Sequence, residues 1–152
     1  KKFAALPALW PDVAVIHVHE SDIFGNSRIK GITIADDVLA RAAKHVIITT
    51  ERLVTNQEIR RDPTATVIPF YLVDGVIEVP YGSYPGNMAY EYFSDEEHLQ
   101  QWLEAETDME TFRAFLDKYL YGVKDFDEYL SLCGGLSRLK ELRAEEVRAD
   151  RV

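Results

Sequence analysis

The sequence contains little cysteine and no long apolar run. Cys133 is the one cysteine among 152 residues, so no disulfide can form within the chain. A chain without internal disulfides is typical of a reducing compartment, and we expect a cytoplasmic location. Apolar runs such as 13–16 and 46–48 are far shorter than the roughly 20 residues that a membrane helix needs, so the sequence predicts no transmembrane segment.

Basic side chains are also in the minority. Lysine and arginine together number 17 against 26 aspartates and glutamates, which gives a formal net charge of -9. An acidic surface repels both phosphate polymers and anionic lipid headgroups. We therefore expect neither nucleic acid nor a membrane surface among the partners of this chain.

Several motifs that carry chemistry are missing. No G-x-G-x-x-G or P-loop pattern occurs, so dinucleotides and nucleoside triphosphates are not expected ligands. His17 and His19 fall on one face of a predicted strand, but no third ligand stands at a characteristic spacing, and we expect no metal. Cys133 has no histidine close in sequence, which indicates a structural thiol rather than a nucleophile. The residues by themselves identify no catalytic group.

The sequence does contain an alternation of strand and helix patterns. Residues 13–19 are apolar on both faces and rich in β-branched side chains, which is typical of a strand buried in a parallel sheet. Charge placement predicts a helix over 35–45, a strand follows over 46–50, and Thr55 with Glu58 forms the capping box of a further short helix. Strand and helix in alternation predict parallel pairing.

The pattern then changes along the chain. Asp74-Gly75 between apolar runs is a hairpin signal, and 76–79 is the firmer of its two arms. Beyond Ser94 the apolar period becomes that of a helix. The predicted helices span 94–106, 108–121, 125–132 and a charge-rich stretch over 136–152. The predicted fold class is therefore α/β, with an open, mainly parallel sheet flanked by helices and a helical carboxy-terminal segment.

Two loops hold the candidate binding residues. The first follows the strand over 13–19, where the carboxyl ends of parallel strands line the ligand crevice of α/β proteins. The second follows the strand over 76–79 and is either a stiffened turn or a wall for the apolar part of a ligand, with tyrosine giving an apolar face and a polar tip. The candidates are His19, Ser21, Asp22 and Asn26 in the first loop, and Pro80, Tyr81, Gly82, Ser83 and Tyr84 in the second.

Five segments carry a resemblance to a known family. They read, in order, PALWPDVAVIHVHESDIFGN, AAKHVIITTERLV, EIRRDPTATVIP, LVDGVIEVPYGSYPG and FLDKYLYGVKDFDEYL. In this order and spacing they resemble the A-type (alpha) subunits of family I acyl-CoA transferases of the glutaconate CoA-transferase type. The resemblance covers about residues 5–132.

The resemblance implies a fold, a chemistry and partners. The family fold is the open α/β sheet of the NagB/RpiA/CoA-transferase-like class, and its substrate is a coenzyme A thioester, with no permanently bound cofactor. A glutamate of the beta (B) subunit is the nucleophile, so we expect no catalytic residue in this chain and pocket-lining roles for the two loops. The expected assembly is a hetero-oligomer that exchanges CoA between a small acyl-CoA and a carboxylic acid.

In the family, a glycine-rich signature lies near the amino terminus of the alpha subunit, but it has no counterpart here. The chain also begins KKFAALPAL, without an initiating methionine, and we expect an internal cut. The sequence therefore predicts a carboxy-terminal half-domain over 1–132 and a charged helical tail over 133–152. Such a chain should be inactive without the missing amino-terminal half and a B subunit.

Two departures from the family pattern and two alternatives remain. Tyr84 stands where many relatives have histidine, which leaves the particular acid open, and LVDGVIEV replaces the common LVDAVVEV, which weakens the hairpin signal. One alternative function is a homologous CoA-linked hydrolase that cleaves a thioester or a ring carbon–carbon bond. The other is a non-catalytic assembly domain that docks through the apolar stripe of Phe112, Phe115 and Tyr119.

Overall fold

The computed structural model describes residues 2–149, which form two compact units. The first unit ends at Gly82 and the second begins at Ser83. No helix among these residues is long and apolar enough to span a membrane. The predicted division of the chain at residue 133 stays a prediction.

The first unit is built on a four-stranded sheet. Its strands are β1 (Val13–Ser21), β2 (Ser27–Arg28), β3 (His45–Leu53) and β4 (Gly75–Glu78), in the spatial order β2-β1-β3-β4. β1 pairs with β3 and β3 pairs with β4 in parallel, while β2 is an antiparallel edge. The mainly parallel α/β architecture predicted from the sequence is confirmed.

Two short helices accompany these strands. α1 (Asp36–Ala42) begins with two aspartates that complement its dipole. α2 (Asn56–Arg61) begins at the predicted capping box, in which the Thr55 side chain accepts from the Glu58 amide and the Glu58 side chain accepts from the Thr55 amide. The turns Pro63–Ala65 and Phe70–Leu72 complete the unit.

The core lies on one face of the sheet. Alternate residues of β1 and β3 pack there with side chains from α1 and the loop before β4, as Ala14, Ile16, Val18, Val46, Ile48, Ala40 and Ile68. On the opposite face, Val13 and Val15 at the start of β1 are 52% and 63% exposed, whereas His17 further along the strand is only partly exposed. The prediction that β1 is buried on both faces is therefore wrong for these first residues, because no described element of the first unit covers them.

The hairpin signal at Asp74-Gly75 is also wrong. The Asp74 amide donates to the Val46 carbonyl, and the Asp74 carboxylate accepts from the Val46 amide at 2.8 Å. These bonds align the chain with β3, so that β4 continues in parallel from Gly75. The aspartate that suggested a turn instead begins a strand pairing.

The second unit is helical, as the sequence predicted. Asp95, Asp108 and Asp125 cap three of its helices by accepting from backbone amides three residues on. The cap of the first helix is therefore Asp95 and not Ser94, where the predicted helix began. The helices are α3 (Glu96–Ala105), α4 (Met109–Leu116) with a π-turn over Asp117–Tyr121, α5 (Phe126–Leu132) and α6 (Gly135–Ala149).

Helix α6 is not a purely surface element. Leu139 and Leu142 are buried, and the Leu142 carbonyl accepts from the Phe93 amide at 3.0 Å. The Glu146 carboxylate accepts from the Tyr90 amide at 2.7 Å. One face of the predicted charged tail, at Leu139, Leu142 and Glu146, therefore packs within the helical unit.

Candidate functional site

The loop after β1 is organised by Asp22. Its carboxylate accepts from the backbone amides of Phe24 and Asn26 at 3.0 and 2.9 Å, and from the side-chain amides of Asn26 and Asn56 at 2.9 and 2.7 Å. Burial by itself raises the pKa of Asp22, but the hydrogen bonds from Asn56 and Asn26 together lower the pKa by more than burial raises it, so that the net shift is downward. The carboxylate is thus ionised at neutral pH, and its acceptor positions are filled by the protein.

The other predicted residues of this loop differ in burial and in their contacts. His19 is 1% exposed, and its Nδ1 accepts from the Lys30 amide at 3.1 Å. Ser21 is also buried, with its hydroxyl 3.0 Å from that of Ser27. Asn26 is half-buried and lines a groove of about 490 Å³. The structure therefore brings Ser21, Asp22 and Asn26 together through hydrogen bonds, while His19 is bound to Lys30, and Asn26 is the least buried of the four.

The loop after β4 is held from the sheet. The Tyr81 amide donates to Glu51 Oε2 at 2.7 Å, while Glu51 Oε1 lies 2.8 Å from His17 Nε2. His17 Nδ1 lies 2.8 Å from the Thr49 hydroxyl. This network anchors the loop formed by Pro80, Tyr81 and Gly82, which ends the first unit.

Sequence reasoning missed Glu51 and Thr49 and gave His17 only a rejected metal role. Part of the signal was present, because Thr49 lies in the predicted strand over 46–50 and a parallel neighbour brings His17 opposite Thr49. Glu51 lies beyond the predicted end of that strand, on the same face of the observed β3. Recognising it required the register of the two strands.

Ser83 and Tyr84 belong to the second unit. The Ser83 amide donates to the Tyr92 hydroxyl at 3.0 Å. The buried Tyr84 hydroxyl donates to Asp95 Oδ2 at 2.7 Å, and the Arg138 guanidinium donates to both Asp95 oxygens at 2.8 and 3.1 Å.

This ion pair shifts the pKa values of its members. Burial by itself raises the pKa of Asp95, but the bonds from Arg138 and Tyr84 lower it to about 2. Burial and the neighbouring Asp95 carboxylate raise the pKa of Tyr84. At neutral pH the cluster is therefore a carboxylate bound by a guanidinium and a neutral phenol.

An aromatic pocket of about 540 Å³ opens next to Tyr84 in the second unit. His98 Nε2 lies 3.1 Å from the Tyr129 hydroxyl, and burial lowers the pKa of His98, so its ring is neutral at neutral pH. Burial raises the pKa of the Cys133 thiol, which agrees with the structural role expected from the sequence. The aromatic lining is formed by Tyr84, His98, Phe115, Tyr119, Phe126 and Tyr129.

Two findings concern the predicted docking stripe and the metal role that the sequence argues against. Phe115 and Tyr119, from the predicted docking stripe, line this pocket and contact His98, with ring centroids 5.7 and 4.7 Å away. Within residues 2–149, no group of three or more histidine, cysteine, aspartate or glutamate side chains is placed to hold a metal ion.

Comparison with known sequences identifies relatives. An uncharacterised protein of Archaeoglobus fulgidus is 46% identical over 99% of this chain and 34% of its own length. The A-type subunit of glutaconate CoA-transferase from Acidaminococcus fermentans is 37% identical over 94% of this chain and 44% of its own length. For the A-type subunit of 3-oxoadipate CoA-transferase from Pseudomonas knackmussii the figures are 36%, 85% and 45%. The chain thus spans less than half the length of these relatives.

Comparison with solved structures agrees. The crystal structure of glutaconate coenzyme A-transferase from Acidaminococcus fermentans superimposes with a TM-score of 0.86 at 37% identity, over 90% of this chain and 43% of that one. The family model for coenzyme A transferase matches residues 1–79, which is more than half of the chain. With this fold and these matches, the chain belongs to the coenzyme A transferase family.

Proposed function

We propose that the chain forms the carboxy-terminal part of an A-type subunit in a heteromeric CoA-transferase. The enzyme moves CoA between an acyl-CoA thioester and a carboxylic acid, a class that includes dicarboxylic acids. The observation that carries the proposal is the 37% identity to the A-type subunit of a glutaconate CoA-transferase along 94% of this chain. Coenzyme A thioester is then a substrate, and we place the assembled enzyme in the cytoplasm.

The carboxylates near the candidate residues support a nucleophile outside this chain. Asp22 is saturated by amide donors, Glu51 is bound to His17 and the Tyr81 amide, and Asp95 is bound to Arg138. A nucleophilic carboxylate needs an oxygen that can reach the thioester carbon. We therefore assign that role to a glutamate of the B subunit.

The chemistry splits one transfer into steps of lower barrier. The glutamate carboxylate attacks the thioester carbonyl, CoA leaves as a thiolate, and a mixed anhydride remains. The thiolate then attacks the glutamyl carbonyl and releases the first acid, which leaves a glutamyl-CoA thioester. Attack by the acceptor carboxylate and return of the thiolate give the new acyl-CoA and free glutamate.

In the first unit we propose that the A-type chain supplies walls for the bound thioester. Pro80, Tyr81 and Gly82 suit the pantetheine arm, because Pro80 and Tyr81 offer an apolar ring and a phenol, and Gly82 lets the loop pack closely against the His17 ring. Asn26 borders the groove after β1 and is placed to meet a polar part of the ligand. These are separate surfaces of one unit.

The remaining candidates of that loop are too deeply buried for direct contact. We propose that Ser21 and Asp22 act by shaping the backbone around Asn26, and that His19 acts by holding the Lys30 amide. In the second unit, taken by itself, Ser83 and Tyr84 are proposed as pocket-lining residues, since Tyr84 forms one wall of the aromatic pocket.

The proposal is tested on the assembled complex purified with every subunit that accompanies this chain. Acetyl-CoA and a panel of other short acyl-CoA donors are incubated with and without an acceptor carboxylate, and acyl-CoA products are followed by mass spectrometry. We expect new acyl-CoA only when the acceptor is present. Release of free CoA at the same rate without acceptor would instead identify a hydrolase, and no reaction with any donor would favour a non-catalytic assembly domain.

A further inference from the structure

His17, Thr49 and Glu51 form a polar network on the face of the sheet opposite the apolar core. Both nitrogens of His17 have partners at 2.8 Å, and the side chains of His17 and Glu51 are 14% and 8% exposed. A carboxylate this well buried is stable only when its oxygens are bound. The pair is therefore built into the sheet, at the end from which the loop after β4 departs.

The same network fixes the backbone of that loop. Tyr81 has a φ of 62°, a left-handed conformation that is uncommon for a residue with a side chain. Its amide is held by the second oxygen of Glu51 at 2.7 Å. An unusual backbone angle persists where surrounding contacts hold it in place. Here that contact is the hydrogen bond from the Tyr81 amide to the Glu51 carboxylate.

Gly82 is matched to the His17 ring. A Cβ atom at Gly82 would lie 2.5 Å from His17 Cε1 and 2.9 Å from the Val79 carbonyl oxygen. The His17 imidazole therefore packs directly on the loop backbone, while the Glu51 carboxylate accepts a hydrogen bond from the Tyr81 amide of the same loop. Two independent contacts, one steric and one polar, converge on residues 81 and 82.

We propose that His17 and Glu51 are positioning residues that clamp the loop at Tyr81 and Gly82, so that Pro80 and Tyr81 present a fixed wall to the acyl-CoA. The second half of this statement rests on the proposed function, whereas the clamp itself does not. The pair acts through the loop and not on the reacting atoms, because both ring nitrogens and both carboxylate oxygens are already engaged within the sheet and loop.

The clamp is tested by amide hydrogen exchange, measured by NMR on the purified chain together with any subunits that co-purify. In the wild type the Tyr81 amide should be protected relative to the rate of an unstructured peptide. Glu51→Ala should accelerate its exchange by about tenfold or more, because a bond to a charged acceptor is lost. The amide of Ile48 in the same sheet should not change.

Two further variants make the test specific. Glu51→Gln keeps an amide oxygen for the Tyr81 amide and should restore exchange close to the wild-type rate. Glu20→Ala removes another carboxylate of the sheet, one that binds Lys30 and Arg52, and should leave Tyr81 unaffected. An unprotected Tyr81 amide in the wild type, or equal acceleration of Tyr81 and Ile48 in Glu51→Ala, overturns the clamp whether or not the other variants fold.

Kinetics of the assembled complex separate the clamp from the function it serves. Glu51→Ala should raise the KM for acyl-CoA by about tenfold with a smaller fall in kcat, and Glu51→Gln should recover most of this loss. An unchanged KM in an active Glu51→Ala complex, despite faster exchange at Tyr81, overturns the positioning role. A wild-type complex that transfers no CoA refutes the proposed function, and the exchange data still decide the clamp.

Discussion

Asp95 links three parts of the helical unit through its two carboxylate oxygens. It accepts from Tyr84, from the amide of His98 at the start of α3, and from Arg138 on α6. The Asp95 side chain is 4% exposed and that of Arg138 is 21% exposed. Removing one partner of a buried ion pair lowers the free energy of unfolding far more than removing one partner of an exposed pair, because the other charge is left buried.

Arg138→Gln should therefore destabilise the chain by about 3 kcal/mol near neutral pH. The effect should depend on pH. In the wild type the pKa of Asp95 is lowered to about 2, so its contribution is present above the usual value of 3.8 and is lost as pH falls through about 2. The gap between wild type and variant, measured by urea unfolding at a series of pH values, should thus narrow in acid.

The control for this change is Arg113→Gln, at an exposed position of α4. It should alter the free energy of unfolding by no more than about 0.5 kcal/mol. If Arg138→Gln gives a gap that does not vary between neutral and acidic pH, then the arginine stabilises the unit through its hydrocarbon stem and not through Asp95.

At the scale of elements, local sequence signals predicted three helix starts correctly, whereas the strand pairing at Asp74 was predicted wrongly. The capping box at Thr55 and the helix starts at Asp108 and Asp125 depend on side chains within three residues, and the structure confirms them. The direction of β4 depends instead on how Asp74 bonds to Val46, which is 28 residues away. Turn chemistry alone could not reveal that bond.

The candidate residues show the same limit. The sequence identified both loops, since turn-forming residues after strands are visible locally. It could not show that Asp22 is bound by Asn56, or that His17 and Glu51 hold the second loop, because those contacts require the parallel register of β1 and β3. Whether the loops line a substrate pocket stays a prediction.

The π-turn between α4 and α5 gives a prediction for an element. Turns of this kind are rare and often occur at functional sites, and this one carries Tyr119 into the aromatic pocket. Gly122 ends it at an ordinary negative φ, but a Cβ atom there would collide with the Asp117 carbonyl oxygen. Gly122 is therefore required for space and not for its backbone angle.

Gly122→Ala should destabilise the chain by about 1–3 kcal/mol, since the methyl group forces the backbone apart. Gly75→Ala is the matched control, because a Cβ atom at Gly75 meets nothing within 4 Å and its φ is not positive. That variant should be neutral or slightly stabilising. Thermal unfolding followed by circular dichroism compares them, and equal Tm values for the two variants would show that the π-turn yields without cost.

At the scale of the whole molecule, the first unit has an unfinished sheet. Parallel sheets are normally covered on both faces, yet Val13, Val15 and Ile77 are exposed on one face of this sheet. The chain also spans only 34–45% of the length of the relatives it matches. These two facts agree if the open face packs against the segments that complete an A-type subunit.

Val15→Glu tests this agreement. A glutamate at a position that is 63% exposed should change the free energy of unfolding of the chain by no more than about 0.5 kcal/mol. In the completed subunit the same glutamate would be buried without a partner, which costs about 3–5 kcal/mol, so assembly should fail. The chain is co-expressed with the segments that complete the subunit, and size-exclusion chromatography measures the loss of the complex.

Val38→Glu supplies the comparison, since Val38 is 61% exposed but lies on α1, which packs on the other face of the sheet. It adds the same charge at a similar exposure and should leave assembly intact. Equal loss of assembly in both variants would indicate a general effect of added negative charge on a chain whose net charge is already -9. Assembly of Val15→Glu at the wild-type level would mean that this face of the sheet is open in the complete enzyme as well.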